Sequence, residues 1–438
     1  MISTSHGPGV IGQPRKPIEQ LVKANSTTNP KPAQIPSPAE TILSLLRQDP
    51  DGKYSNAFEV LSQISTLRAA YEVIKSKPGN MVRGTTKKTL DGISLEEKAS
   101  HSLRAEKFQW KPNRRVYIPK ANGKRRPLGI ASPRDKIIQQ AMNMVMETVL
   151  EPKFHNSSHG FRPYRGCHTA LREVRSWTGV PWIIEGDIKS FFDSINHLVL
   201  ANLISKHFSE KRLLNLYWKL VKAGYVEFDK KKRTFITSDV GVPQGGIISP
   251  LLSNLVLHEL DLYMEKLAKE RAKLSLGQRP RIRNPAYSKL SYAIKVSRKN
   301  KDRAAYATAH KLRRHLRFEL PNPLHSCIKY VRYADDWLVG VWGPKSLALE
   351  LKSDIASFLQ SLKLTLSAEK TLVTNTRWGK VKFLGTYIRR ITPTRGSLAQ
   401  PQAAGKIWMT APMPILSKRL ASRVIRLSED LVTWGLWP

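Results

Sequence analysis

Two adjacent aspartates between strand-forming runs constrain this chain more than any other feature. In "KYVRYADDWLVGV" (residues 329–341), β-branched, aromatic and aliphatic residues flank Asp335 and Asp336, a pattern of strand, turn, strand. A two-residue hairpin loop needs positive φ, which neither aspartate adopts cheaply. Neighbouring carboxylates also repel one another unless a cation lies between them. A solvated acidic turn is the plain alternative, so the rest of the chain must supply the cation and a use for it.

A third acid answers in part. Asp187 closes the apolar run "PWIIEGDI" and precedes "KSFFDSINH". Alone, an aspartate at a strand end is ordinarily a helix cap or turn residue. Carboxylates brought to one point from neighbouring strands would instead form an all-oxygen site for hard divalent ions. Magnesium is the expected ion, since no soft ligand lies nearby in sequence. Cys167 and Cys327 are the only cysteines, which suits a reducing compartment and argues against a disulfide framework or a zinc-dependent nuclease module.

Charge points to the partner. The 438 residues carry 73 Lys and Arg against 34 Asp and Glu, a formal +39. An excess that large opposes compaction, and a polyanion explains it: nucleic acid first, an acidic membrane surface second. No apolar run reaches spanning length; the best, "GGIISPLLSNLVLHEL", is broken by Pro250, Ser253 and Asn254. Length implies two or three compact units.

Along the chain, residues 1–38 read as a flexible basic arm rich in Pro, Ser and Thr. Residues 39–101 read as a helical extension, with "AETILSLLRQ" and "AFEVLSQISTLRAAYEVIKS" at helical spacing. Asn122-Gly123 marks a hairpin in "RRVYIPKANGKRRPLGIAS". Ser132-Pro133 predicts a helix start, with a stripe of Ile138, Met142, Val145 and Val149 running to Pro152. "VKFLGTYI" reads as one strand and residues 350–362 as an amphipathic helix. Between Glu270 and Glu319 the only acid is Asp302, and Tyr287, Tyr292 and Tyr306 stand among Lys and Arg. This segment is either a solvated basic helical insertion or a phosphate contact.

Taken together, "RVYIPKANGKRRPLGIASPRDKIIQQAM", "SSHGFRPYRGCHTAL", "IIEGDIKSFFDSINH", "GVPQGGIISPLLSNLVLHELD", "VRYADDWLVG", "LTLSAEKTLV", "VKFLGTYI" and "MTAPMPILSKRL" resemble, in colinear order, a group II intron-encoded reverse transcriptase and maturase. The resemblance runs from about residue 66 to about residue 420. It implies an α+β right-hand polymerase with fingers and palm over 102–395, a basic insertion at about 265–325, and a partial helical thumb or maturase domain over 396–438, apparently truncated. It also implies that Asp187 and Asp335 hold two magnesium ions with the carbonyl of Ile188, and that Asp336 supports the site. Lys120 and Arg126 would clamp the triphosphate, Phe192 would crowd a ribose 2′-hydroxyl, and Gln244 of "PQGG" would contact the nucleotide or template. Core packing is the alternative for Phe191 and Phe192 alike. Lys370 would be a proton donor to pyrophosphate or else a helix-surface lysine. Arg162 would lie on template phosphate while Phe161 packs inside, Gly385 belongs to the strand holding the primer end, and Lys418 and Arg419 lie on a thumb helix against nucleic acid. The implied partners are group II intron RNA, a DNA primer or target, and deoxynucleoside triphosphates, with no membrane. A maturase-type RNA-binding cofactor without polymerase activity is the alternative. The acid-poor arm leans toward a mitochondrion.

Overall fold

The computed structural model describes residues 37–391 and 405–410, apart from 78, 80–81, 87–94, 120–122, 124, 230–231, 238, 277–280 and 323–324. Most of the expected arm and nearly all of the expected thumb therefore lie outside the described residues.

The fold is α+β, organised around a four-stranded antiparallel sheet ordered Leu372–Asn375, Trp182–Gly186, Asp336–Trp342, Cys327–Tyr333. Both faces are covered, which explains the unbroken apolar run Trp182, Ile183, Ile184 at the start of its strand. Ile184, Ile328, Tyr330, Trp337, Val339 and Val341 belong to the main core, which they share with the helices Pro133–Leu150, Ser249–Leu274 and Lys345–Ser361. Ile183, Val331 and Leu338 belong to a second core with Ala170, Val174 and Trp177. Phe383, Ile388 and Ile407 of a small three-stranded sheet close that second core.

A second sheet is ordered Arg125–Ile130, Asn113–Pro119, Tyr225–Asp229, Lys232–Ile236. Its first two strands form the hairpin expected around Asn122-Gly123. The register opposes Pro119 to Arg125, and Gly123 between them has φ +78°.

Ser132 caps the helix Pro133–Leu150 as its sequence predicts, accepting a hydrogen bond from the backbone N–H of Asp135. The amino-terminal helices Pro38–Leu45, Ala57–Leu61 and Ile64–Lys75 add Ile42, Phe58, Leu61 and Leu67 to the main core. "VKFLGTYI" is not one strand. It is a hairpin, Val381–Phe383 against Thr386–Arg390, turned at Leu384 and Gly385 with φ of +48° and +73°. Two consecutive positive φ values bring a primed turn, and glycine at the second position makes it inexpensive.

The basic segment is a helical appendage. Strands Arg281–Arg283 and Glu319–Pro321 pair and bracket the helices Pro285–Lys299 and Arg303–Arg313. At its base, Ser275 Oγ donates to the Ser326 carbonyl (2.8 Å) and accepts from the Ser326 N–H (2.9 Å). Among the described residues no helix is long and apolar enough to cross a membrane.

Candidate active site

The two-aspartate hairpin turns tightly. Tyr333 pairs with Asp336, so Ala334 and Asp335 are the loop residues, and Ala334 carries the positive φ at +54°. An L-residue other than glycine costs about 1–2 kcal/mol in that conformation, so the surroundings must hold it. Gly160 does so by proximity: a Cβ there would lie 2.4 Å from the Ala334 nitrogen. The adjoining backbone is stitched in the same place, with the His159 N–H donating to the Arg332 carbonyl and the Arg332 N–H to the Ser157 carbonyl, each at 2.8 Å.

Beneath the turn lies a charged core. The Arg332 and Asp261 side chains have no solvent exposure and pair through two contacts, Nε to Oδ1 at 2.7 Å and Nη2 to Oδ2 at 2.6 Å. Arg332 Nη1 donates to the Ala334 carbonyl (3.1 Å) and to Asn254 Oδ1 (2.9 Å), and Nη2 donates to Ser158 Oγ (2.7 Å). Asn254 Nδ2 in turn donates to the Gly160 carbonyl (2.9 Å), and Tyr330 donates to Asp261 Oδ1 (2.9 Å). Burial works against the charged guanidinium, but Asp261 more than offsets it and holds the Arg332 pKa above its usual value.

Asp187 reaches the turn from the neighbouring strand. The ladder ends at Gly186 opposite Trp337, which carries Asp187 to the level of Asp336. The Ser367 N–H donates to the Asp187 carbonyl and the Lys189 N–H to the Thr365 carbonyl, both at 2.9 Å. These bonds flank the Ile188–Leu366 bridge, so the Ile188 carbonyl points away from that ladder. Lys370 donates to Asp187 Oδ2 at 2.9 Å, and this bond raises the pKa of its ammonium. It lies on a turn, so the helix-surface alternative for Lys370 does not hold.

The electrostatics favour a cation. Burial raises the Asp335 pKa, with Asp187 adding to the rise and Arg126 and Lys370 opposing it. Asp336 is pushed to about 6, first by burial and then by Asp335 and Asp187. Asp336 also presents an open edge to solvent, so the neighbouring charges are the firmer of those two causes. These groups offer only oxygen donors, which suit a hard divalent ion. Among the described residues, however, no three His, Cys, Asp or Glu side chains are gathered into a group that could hold a metal. A cation here would therefore also draw on main-chain or substrate oxygens, in line with the expected part of the Ile188 carbonyl.

The second sheet leans over this site. Arg126 Nε donates to Gln244 Oε1 (3.2 Å), and Gln244 Nε2 donates to Asp193 Oδ2 (3.3 Å). The Gly129 N–H donates to the Gln244 carbonyl at 2.6 Å. Phe191 is the core residue of its pair at 2% exposure, while Phe192 is only half-buried and meets it edge to face, ring centroids 5.5 Å apart. Gly385 lies exposed at its turn. Lys120, Lys418 and Arg419 lie outside the described residues.

Two expectations are reversed at "SHGFRP". All three guanidinium nitrogens of Arg162 bond inside the protein: Nε to the Glu151 carboxylate (2.9 Å), Nη1 to the His155 and Ser158 carbonyls (2.7 and 3.0 Å), Nη2 to Glu151 (2.9 Å). With a second Nη2 bond to the Glu151 carbonyl (3.3 Å), all five donors of Arg162 are engaged inside the protein and none is directed at a template phosphate. Phe161, expected inside, is 51% exposed with φ +58°.

Sequence reasoning missed Arg332, Asp261, Asn254 and Gly160. A signal existed for two of them. Asp261 stands within the apolar stripe of Leu257, Leu260 and Met264, and Arg332 lies between Val331 and Tyr333 on a strand, each a charge where a core residue is expected.

A family model described as reverse transcriptase (RNA-dependent DNA polymerase) matches residues 118–273. An uncharacterized 91 kDa protein in the cob intron of Schizosaccharomyces pombe is 39% identical over 83% of this chain and 46% of its own length. The group II intron-encoded protein LtrA of Lactococcus lactis is 36% identical over 80% of this chain and 59% of its own. Protein YkfC of Escherichia coli is 33% identical over 77% of this chain and 84% of its own. The chain thus spans about half the length of the first two.

Proposed function

The chain belongs to the group II intron-encoded reverse transcriptase and maturase family, and from that premise we propose that it is an RNA-directed DNA polymerase copying group II intron RNA. The observation that carries this reading is the meeting of Asp187 with the Asp335–Asp336 turn at one end of the central sheet, near Arg126 of the second sheet and the Gln244 loop bonded to it.

Asp187, Asp335 and the Ile188 carbonyl would hold two magnesium ions, whose chemistry is to activate the primer 3′-hydroxyl and neutralise the leaving pyrophosphate. Asp336 tunes the charge of that cluster. Lys370, on a turn and bonded to Asp187, would pass a proton to pyrophosphate. Arg126 and Lys120 bind the triphosphate of a deoxynucleotide, Gln244 orients it, and Phe192 presents its half-buried ring against the sugar. Little covalent work falls to the protein, so positioned charge accounts for most of the rate.

Magnesium-dependent primer extension on an RNA template tests the proposal. Asp335→Ala should reduce extension to background while leaving RNA affinity almost unchanged, and extension retained by that variant would remove the mechanism. The exposed basic appendage supports a second activity, binding intron RNA to assist splicing. A splicing assay on the same variant separates the two, since RNA folding does not need the carboxylates. We place the protein in a mitochondrion on the character of its amino-terminal arm, which cell fractionation would check.

A further inference from the structure

The strand that leads to Asp187 carries a charge where its pattern calls for a core residue. Glu185 follows Ile183 and Ile184 in "PWIIEGDI" and is half-buried, opposite Leu338 on one side and Leu372 on the other. Residues two apart along a strand share a face, so Glu185 lies with Ile183 on the face that meets the second core. Asp187, just past the strand end, is the next residue of that series.

The Glu185 carboxylate joins two sheets. Its Oε1 accepts from the Thr374 hydroxyl at 2.7 Å, and its Oε2 accepts from the Lys382 backbone N–H at 3.0 Å. Thr374 belongs to the edge strand of the central sheet, whereas Lys382 is the middle residue of Val381–Phe383, two residues before the Leu384–Gly385 turn. Val381 and Phe383 hold that strand through the second core, but apolar burial is non-directional. Two polar bonds fix the open end of the hairpin: the Arg390 N–H donates to the Thr376 carbonyl (2.9 Å), and Arg390 Nη1 donates to the Gly179 carbonyl (3.0 Å). Glu185 fixes it near the turn, from the strand that delivers Asp187.

Resting on the polymerase reading, we propose that Glu185 is a positioning residue that sets the hairpin expected to hold the primer end at a fixed distance from Asp187. It acts through the hairpin and not on the substrate. A misplacement of about 1 Å at a reacting centre can cost on the order of 10²-fold in rate, so a directional tie at this point bears on kcat. The role is one of geometry and not of charge, because it asks only for an acceptor at Lys382 and a partner for Thr374. Glutamine supplies both: its amide oxygen accepts from the Lys382 N–H, and its amide nitrogen donates to the Thr374 hydroxyl, which accepts as readily as it donates. Leucine supplies neither. Were the carboxylate serving a cation instead, glutamine would fail as leucine does.

Single-nucleotide extension is measured for wild type, Glu185→Gln and Glu185→Leu at a temperature at which circular dichroism shows each folded. Glu185→Leu should lose about tenfold or more in kcat, with little change in KM for the deoxynucleotide or in affinity for the primer–template. Glu185→Gln should keep most of the wild-type kcat. Hydrogen exchange at the Lys382 amide, read without primer or metal, should be several-fold faster in Glu185→Leu and unchanged in Glu185→Gln. Where leucine prevents folding, Glu185→Asp, too short to span both partners, takes its place with the same expectation. Equal kcat in wild type and the leucine variant, or a loss in Glu185→Gln as large as in Glu185→Leu, overturns the positioning role alone. Absence of extension by wild type would remove the polymerase reading, and this role with it.

Discussion

Arg332 and Asp261 form a fully buried two-contact ion pair, and the guanidinium continues to the carbonyl of Ala334, the residue that turns the chain into Asp335. The left-handed turn is thereby held from below by hydrogen bonds, and from the side by the close backbone of Gly160. A carboxylate that must meet a cation needs a backbone that does not relax away from it, and this arrangement supplies one.

Removing one partner of that pair leaves a buried charge alone. Asp261→Asn should cost about 3–5 kcal/mol in denaturant unfolding. The double change of Arg332→Met with Asp261→Leu should recover much of that loss, because apolar replacement of a buried pair is often neutral. Primer extension should not recover, since the Ala334 and Asn254 oxygens lose their donor, and the deficit should appear in kcat more than in KM. Full activity in the stable double variant would show that the turn holds itself.

Arg162→Ala separates structure from binding. Its guanidinium bonds only to the protein, so the change should destabilise by about 1–3 kcal/mol, the range for orphaned buried acceptors. The slope of log Kobs for RNA against log salt should stay unchanged. A shallower slope would mean that the side chain reaches phosphate after all.

Acid should stabilise the fold through Asp336. Its pKa rises from 3.8 to about 6, by burial first and then by repulsion from Asp335 and Asp187. Between roughly pH 4 and 6 the folded chain keeps a proton that the unfolded chain has released, so this contribution is present at the acid end and lost as pH rises through 6. Without divalent cation, Asp336→Asn should flatten that part of the Tm profile. At pH 7 magnesium should raise the Tm of wild type and raise that of Asp335→Asn less.

The appendage should carry part of the salt dependence. Residues 281–319 hold 12 Lys and Arg against two acids, and Lys289, Lys295 and Arg298 are exposed on one helix. Changing these three to Gln should make the salt slope of RNA binding shallower, by up to about one for each phosphate that is no longer neutralised. An unchanged slope would make the segment merely solvated.

Local chemistry was readable wherever neighbours in sequence decide it. Ser132 caps its helix, and the residues about Asp335 make strand, turn and strand, because caps and alternation act over a few residues. "VKFLGTYI" misled because both halves favour strand and a Leu-Gly turn is a weak signal without its φ values. Arg162 and Phe161 misled in a different way: the cation of such a pair is ordinarily the outward residue, and here the Glu151 carboxylate with the nearby His155 and Ser158 carbonyls pulls it in.

Order along the polypeptide thus pointed to the acids and to the strands that carry them, since hydrophobic pattern and residue type are local properties. Folding alone decided that Asp261 neutralises Arg332 from 71 residues away, that Lys370 meets Asp187, and that the Glu185 carboxylate meets the Lys382 N–H. Those relations depend on where separate elements come to rest against each other, and burial, which makes a charge consequential, exists only after they do.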